Sequence, residues 1–594
     1  MRRLCIAVAL LSAACAGSGN PTPSVRPPAA PESDPVALTD SIADEFVAAF
    51  FRTFPEAATQ RGIPGARHDR LTDNSLAARD RWRRREDGWL AALRRIDPAA
   101  LAGRPEWVTY GILRETLEGR EALRVCRFEL WNLNTAAPGW QAGYASLARV
   151  QPVGSDSLRA QALARARALP RFLRVEEANL REGMREGYLA PRAVVEGVIR
   201  QLDGLLAVPA DSSPFASPAQ RDSSPAFRRE LVAVVGREID PAIRRYRDFL
   251  RSEYLPAARA AIGVSANPNG VACYRAAVRA FTTLDLAPEE VFQRGMRELE
   301  RIEGEMRPLA RRIFGTSDLP TVLARLRDDP AYTFRSREEI VDSSRAALAR
   351  ARAAMPKWFG ILPRADVVIE QHPEFRQREG AVAQYNAPAE DGSRPGIFYI
   401  TTYAPERQSR ALLETTAFHE AIPGHHLQIA IAQERRDAHP VTRYFFNSGF
   451  VEGWALYAEG LADEMGVFGS DLSRLGMLSS YAWRAARLVL DAGIHTRGWT
   501  REQAVEFLSR HTAVAPLLVQ GEVDRYISWP GQATAYMLGN LEIRALRAEA
   551  ERRLGPRFDI RRFHDEVLGH GSLTLPMLRT VIREWLDREA PAVR

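Results

Sequence analysis

Lysine is almost absent from this sequence. Lys357 is the only one among 81 basic residues, and arginine supplies the rest. Such a bias fits a GC-rich coding sequence better than selection for a partner. The arginines are interspersed with 74 acidic residues, so the net charge of +7 forms no basic tract, and nucleic acid is not an expected partner. Cysteine is also scarce, at four residues. Two of them, Cys5 and Cys15, stand near the start. Cys126 and Cys273 are too few for a cysteine-built zinc centre; they either pair or remain as two buried thiols. Beyond the first residues no apolar run is long enough to cross a bilayer. Internal repeats, sustained heptads and βαβ alternation are missing as well. Their absence excludes solenoids, long coiled coils and doubly wound sheets.

What is present begins with "MRRLCIAVALLSAAC": two arginines, a short apolar run and small residues before Cys15. Residues 1–15 read as a signal peptide. "SAAC" resembles a bacterial lipobox, which would make Cys15 the lipidated N-terminus of the mature protein. Ser12 stands where leucine is more usual, so plain signal cleavage is the alternative. Residues 16–37 are rich in Pro, Gly and Ser and read as a tether that buries no core. The expectation is export to the periplasm, with attachment to a membrane through an N-terminal lipid.

Residues 38–594 are expected to form one domain with two parts. To about residue 357 the pattern is helical. "ADEFVAAFFRTFPEAA", "LARARALPRFLRVEEANLREGM", "FRRELVAVVGREIDPAIRRYRDFLRSEYLPAARAAI" and "PEEVFQRGMRELERIEGEMRPLARRIF" carry apolar residues at three- and four-residue spacing. "VPADSSPFASPAQRDSSPAF" and "GVSANPNGVA" read as loops between them. From about residue 358, "ADVVIEQ", "AVAQYN" and "GIFYITTY" suggest a small antiparallel sheet. Helices resume after Arg407. The fold class is therefore mainly α, of α+β type.

The chemistry concentrates in "FHEAIPGHHLQ", where three of the ten histidines fall. It begins as His-Glu, but Pro423 holds the place four residues after His419. In a regular helix His419 and His426 would share a face about 10 Å apart along the axis, too far for one Zn2+ at about 2.0–2.1 Å from each. His419 and His425 would point in different directions. Pro423 lacks an N–H and would clash with the His419 carbonyl, and Gly424 relaxes the backbone. A helix here is expected to bulge or break, bringing His425 or His426 back beside His419.

Glu420 follows His419 directly and can serve as general base on an activated water. "FVEGWALYAEG", about one helical hairpin later, offers Glu452 as a third metal ligand. The "GIFYITTY" strand could present a sheet edge to an extended peptide. The flanks "LLETTAFHEAI" and "HLQIAIA" mark a buried helix, and burying imidazoles and a carboxylate without partners is costly.

Four segments in this order, "HEAIPGHHLQ", "VEGWALYAE", "DAGIHTRGW" and "RYISWPGQATAYMLG", closely resemble the bacterial domain-of-unknown-function 885 family over nearly the whole mature chain. That family resembles a branch of the gluzincin zinc metallopeptidases. "VEGWALYAE" is similar to the Asn-Glu-Gly-Phe-Ala-x-Tyr-x-Glu segment of membrane alanyl aminopeptidases, whose first Glu ligates zinc and maps onto Glu452. "ITTY" and "GQATAYMLGN" are similar to segments of the thermostable carboxypeptidase family. Alignment with that family leaves a two-residue insertion and makes His425, rather than His426, the second ligand.

The resemblance implies a large two-lobed helical peptidase domain with Zn2+ on His419, His425 and Glu452. It leaves His426 beside the metal, facing substrate or capping the break. Glu459, two turns after Glu452, is expected to orient a ligand or to be structural. His495 and Tyr526 are implied as oxyanion-side donors, with Tyr536 a weaker candidate. Arg525 could grip a peptide carboxylate or form an ordinary ion pair, and Tyr385 with Asn386 could line the cleft.

The expected activity is zinc-dependent hydrolysis of peptide bonds, favouring short peptides. Glu420 would take a proton from water and return it to the leaving amine. The alternatives are a metal-dependent amidase acting on a non-peptide or cell-wall amide, and a lipoprotein binding module without catalysis.

Overall fold

In the computed structural model, which describes residues 34–131, 133–135, 139–372, 377, 383–390, 392 and 394–589, the first helix opens at Pro35. Asp34 caps it by accepting the Val36 N–H at 3.1 Å, and Pro35 fits the first turn because no N–H is needed there. The folded chain thus starts before residue 38, inside the stretch read as tether. The signal peptide, Cys15 and most of the tether lie outside the described residues. No helix among the described residues is long and apolar enough to cross a membrane.

Helices dominate on both sides of Lys357, as the apolar spacing predicts. Asp156–Glu186 and Pro288–Phe314 (α1) are long and amphipathic. The stretch from Pro225 to Ala257 is helical but contains two wider turns of π type, Val235–Ile239 and Leu250–Tyr254. Each lies just before a proline, Pro241 and Pro256, whose missing N–H and bulky ring disturb a regular α-ladder. Two expected loops are more ordered than their composition suggests. Ser217–Gln220 is a short helix, and Gly270–Thr282 begins within "GVSANPNGVA".

The three expected strands are present: Val367–Gln371 (β1), Gln384–Asn386 (β2) and Gly396–Ile400 (β3). Their arrangement differs from expectation. The order is β1-β3-β2, with β1 parallel and β2 antiparallel to β3, so the sheet is mixed. "GIFYI" is the central strand, paired on both sides, and offers no free edge to a peptide. Side-chain alternation reports that a segment is a strand, not which neighbours it takes or in which direction.

After the sheet come the helices that build the site: Arg410–Glu420 (α2), His425–Glu434 (α3), Ser448–Glu464 (α4), Asp471–Thr496 (α5), Pro516–Ser528 (α6) and Ala535–Leu554 (α7). α5 is buried along most of its length. An all-round apolar helix of this kind belongs in the interior. One buried cluster joins Ile112, Phe398, Phe418, Phe450, Trp454 and Phe563, so segments before and after Lys357 share a core.

Cys126 and Cys273 are bonded across 147 residues of chain. The bond ties Gly270–Thr282 to the turn after Pro105–Leu123. Closing so long a loop removes unfolded-state entropy worth at most about 5 kcal/mol. We expect Cys273→Ser, or reduction, to lower stability by about 2–5 kcal/mol in equilibrium denaturation. An unchanged midpoint would show that the bond constrains nothing.

Candidate metal centre

The His-Glu helix does break at the proline, and it breaks completely rather than bulging. α2 ends at Glu420, Ala421 leaves helical geometry (φ −106°, ψ −105°), the Ile422–Pro423 peptide is cis, and α3 starts afresh at His425. Gly424 permits the close turn: a Cβ there would lie 2.0 Å from the His419 carbonyl oxygen and 2.3 Å from that of Phe418. The backbone groups freed by the break find partners. The Trp454 indole N–H donates to the Pro423 carbonyl at 3.0 Å, and the His426 N–H donates to the Ala421 carbonyl at 3.0 Å.

The break brings His419 and His425 together, with ring centroids 4.8 Å apart and planes nearly perpendicular. α4 delivers Glu452 to the same point. Its Oε2 lies 3.6 Å from His419 Nε2 and 3.4 Å from His425 Nε2. One ligand atom from each of the three residues falls within 4.8 Å of the others. Glu452 Oε2 is buried and has no hydrogen-bond partner among the described residues. Two nitrogens and an anionic oxygen converging in this way call for a cation between them. Burial alone would lower the His419 pKa, but Glu452 and Glu459 outweigh it and raise it to about 9. The donor set, two imidazoles and one carboxylate with Glu452 still partly exposed, suits Zn2+ and other borderline divalent ions.

Glu459 holds His419 in place from behind. Its Oε1 accepts the His419 Nδ1–H at 2.8 Å, and its Oε2 accepts the Thr415 hydroxyl at 2.6 Å. That bond leaves the His419 Nε2 lone pair directed at Glu452. Carboxylates placed behind metal-bound imidazoles fix the tautomer and raise ligand basicity. Glu459→Gln is therefore expected to weaken zinc binding about 10–100-fold by competition with a chelating dye. Unaltered affinity would make Glu459 a packing residue only.

His426 points elsewhere. Its Nε2–H donates to the Ala365 carbonyl at 3.0 Å, and its Nδ1 lies 3.0 Å from the Tyr385 hydroxyl, which donates to it. A Cβ on Gly396 of β3 would sit 2.7 Å from that Nδ1. His426 thus pins the start of α3 to the sheet, and neither nitrogen is left for a metal or substrate. Tyr385 is its partner. Asn386 accepts the side-chain amide N–H of Gln384 at 3.0 Å.

Glu420 is partly exposed and forms no side-chain hydrogen bond among the described residues. Burial lifts its carboxyl above the usual range; His419, His425 and Arg484 pull the other way, and Glu452 adds to the rise. A hydrogen bond within the protein would tie up a carboxylate at this position; among the described residues Glu420 has none, and its oxygens could exchange a proton.

The remaining residues are sorted differently from the sequence expectation. His495 is fully buried: its Nδ1 accepts the Val264 N–H and its Nε2–H donates to the Tyr526 carbonyl, each at 3.0 Å. Burial pushes its pKa down to about 3. The Tyr526 hydroxyl donates to Glu522 at 2.7 Å and accepts from Arg487 Nε at 2.8 Å and Trp483 Nε1 at 3.0 Å. Neither residue has a donor to spare for an oxyanion. Tyr536, on the first turn of α7, does. Its ring stacks on His419 at 6.2 Å with planes 15° apart, it is partly exposed, and its hydroxyl has no partner among the described residues. Burial, then the nearby Glu452 charge, push its pKa to about 12, so it remains a donor.

Arg525 is held in a two-pronged ion pair by Glu522, at 3.1 and 2.9 Å, and also donates to Gln532. That settles it into the ordinary-ion-pair alternative. Arg484, Arg487 and Trp483 on α5 were not singled out from the sequence. Their signal is two charged residues at a three-residue interval inside "YAWRAARLVLDAGI", which is otherwise almost wholly apolar.

α4 and α7 carry Glu452 and Tyr536 to one place by direct backbone contact. A Cβ on Gly453 would lie 2.5 Å from Gly539, and one on Gly539 would lie 1.8 Å from the Gly449 carbonyl oxygen.

Comparison with known proteins bears on the fold and the family. A structure of a candidate lipoprotein from Colwellia psychrerythraea is 25% identical, covers 93% of this chain and 99% of its own, and superposes with a TM-score of 0.85. A candidate lipoprotein of unknown function from Shewanella oneidensis is 20% identical over 92% of this chain and 99% of its own, with a TM-score of 0.72. No curated protein matches. The profile of the family described as bacterial proteins of unknown function (DUF885) matches residues 55–582, and the chain belongs to that family.

Proposed function

We propose that this protein is an exported zinc metallopeptidase that hydrolyses peptide bonds in short peptides. The observation that carries the reading is the convergence of His419, His425 and Glu452 on one point, with Glu452 Oε2 buried, facing both imidazoles and without a hydrogen bond among the described residues. A divalent ion held there would supply Lewis acidity toward a substrate carbonyl and a water. The chain's own residues supply the rest. Glu420, next to His419, takes a proton from the attacking water on a carboxylate oxygen and passes it to the departing amine nitrogen. The Tyr536 hydroxyl, beside His419, donates a hydrogen bond to the carbonyl oxygen as negative charge develops there. Glu459 keeps the His419 ring oriented throughout.

Export rests on independent features. The N-terminal sequence reads as a signal with a lipobox at Cys15, and the two similar structures named above are described as candidate lipoproteins. The Cys126–Cys273 bond suits an oxidising compartment.

Purified protein should carry close to one zinc per chain by elemental analysis. It should cleave members of a mixed peptide library, read by mass spectrometry of both product termini, and lose that activity on chelation. Absence of bound metal together with absence of cleavage after zinc loading would overturn the reading.

A further inference from the structure

Arg487 is buried, with 4% of its side chain exposed, and two of its nitrogens are engaged: Nε with the Tyr526 hydroxyl and Nη2 with Glu522 at 2.9 Å. Its third nitrogen, Nη1, is buried with no hydrogen-bond partner among the described residues. Such an N–H is expensive to leave unpaired, and a guanidinium more so than a neutral donor. The local charge is unbalanced too. Arg487 and Arg525 share the single carboxylate of Glu522. Asp491, which also feels Arg525, is pushed by burial to about 7 and is occupied by the Gly531 N–H at 2.9 Å. The cluster thus holds two guanidinium groups against one fully engaged carboxylate.

Its position relative to the candidate metal centre bears on which anion could pair with it. The Arg487 guanidinium lies 4.3 Å from the centre of the Tyr536 ring, and the His419 ring centre lies 6.2 Å from the same ring. Tyr536 is thus a common neighbour of the guanidinium and of a candidate metal ligand. Trp483 flanks Arg487 at 4.5 Å, and both Trp483 and Tyr536 are partly exposed, so the cluster borders accessible space. An extended peptide advances about 3.3–3.6 Å per residue. If the scissile carbonyl lies at the centre, the terminal carboxylate of a leaving group of one or two residues comes within reach of Arg487.

We propose that Arg487 binds the free C-terminal carboxylate of the substrate, making the protein an exopeptidase that releases one or two residues from peptide C-termini. This rests on the peptidase reading above and names its substrate class. The reaction needs no further reactant: water's oxygen joins the acyl carbon, the C–N bond breaks, and the departing amine gains a proton. Endoproteolysis is disfavoured because an internal segment leaves the guanidinium unpaired.

The test separates binding from turnover. Zinc-loaded Glu420→Gln protein is presented with matched tripeptide and tetrapeptide libraries carrying free or amidated C-termini, and retained peptides are counted by mass spectrometry. Free acids should be retained about 100-fold more tightly than amides, the range expected for a buried charge-assisted pair. Arg487→Gln in the same background should abolish the difference, and Arg487→Lys should restore part of it. The acid–amide contrast on Arg487-containing protein requires no core substitution, so it stands even if those variants misfold. Equal retention of acids and amides, or retention of neither, overturns the assignment. With unsubstituted zinc-loaded protein, equal cleavage of acids and amides would overturn it while leaving the peptidase reading intact. Selective retention of acids without any cleavage would overturn the peptidase reading, and the exopeptidase assignment with it, leaving Arg487 as a carboxylate-binding site alone.

Discussion

Glu420→Gln protein is expected to retain zinc and to hydrolyse peptides about 10²–10⁴-fold more slowly than the unsubstituted chain. Glutamine has nearly the same shape but cannot accept the water's proton. Glu420 makes no hydrogen bond within the protein among the described residues, so the substitution breaks no internal contact. It also removes a carboxyl whose burial is unfavourable in the charged form, so stability should hold or rise. The measurement is paired: zinc per chain by elemental analysis, and kcat/KM on a peptide that the unsubstituted enzyme cleaves. Full hydrolysis with metal bound would eliminate Glu420 as the base. Loss of metal along with activity would mean that Glu420 belongs to the ligand set.

The second large effect separates two adjacent histidines. His425→Ala should abolish stoichiometric zinc binding and activity together, because only three protein donors among the described residues converge at the centre. His426→Ala should keep zinc at nearly one per chain. It removes instead the links to Tyr385 and Ala365, at a cost in stability of about 1–3 kcal/mol, since both contacts are at least partly buried. Isothermal titration with zinc and thermal unfolding therefore give opposite rankings for the two variants. If His426→Ala lost zinc while His425→Ala retained it, the assignment of the second ligand would be reversed.

How far the sequence carries can be judged from these residues. The helices were legible because their apolar spacing is regular, and the strands because β-branched runs are bounded by turn residues. Pro423 announced a break, and helical geometry alone showed that no regular helix could place two histidines beside one metal. The choice between His425 and His426 could not be read from one-dimensional spacing. It depends on how α3 restarts after the turn and on Tyr385 and Ala365, which are distant in sequence. His495 and Tyr526 were favoured over Tyr536 because a motif shows which residue types occur, not which hydroxyl is already engaged. The Tyr526 hydroxyl is saturated by Arg487, Glu522 and Trp483, none of them its neighbour in any motif. The parallel pairing of β1 with β3 was hidden for a similar reason: direction is set by chain path, and side-chain alternation is the same either way.

The contact between α4 and α7 deserves a different vocabulary from that of ligands and bases. Gly449, Gly453 and Gly539 contribute no donor, charge or apolar surface, yet the spacing of the two helices there is set by the hydrogen atoms that stand where side chains would be. They act as a gauge. A methyl group at Gly539 meets backbone, which cannot rotate aside, so the helices themselves must shift, and Glu452 and Tyr536 would move with them relative to His419. Positions without chemistry can therefore be as demanding of identity as the ligands. An inventory of this site by side-chain function would pass over the residues that hold its width.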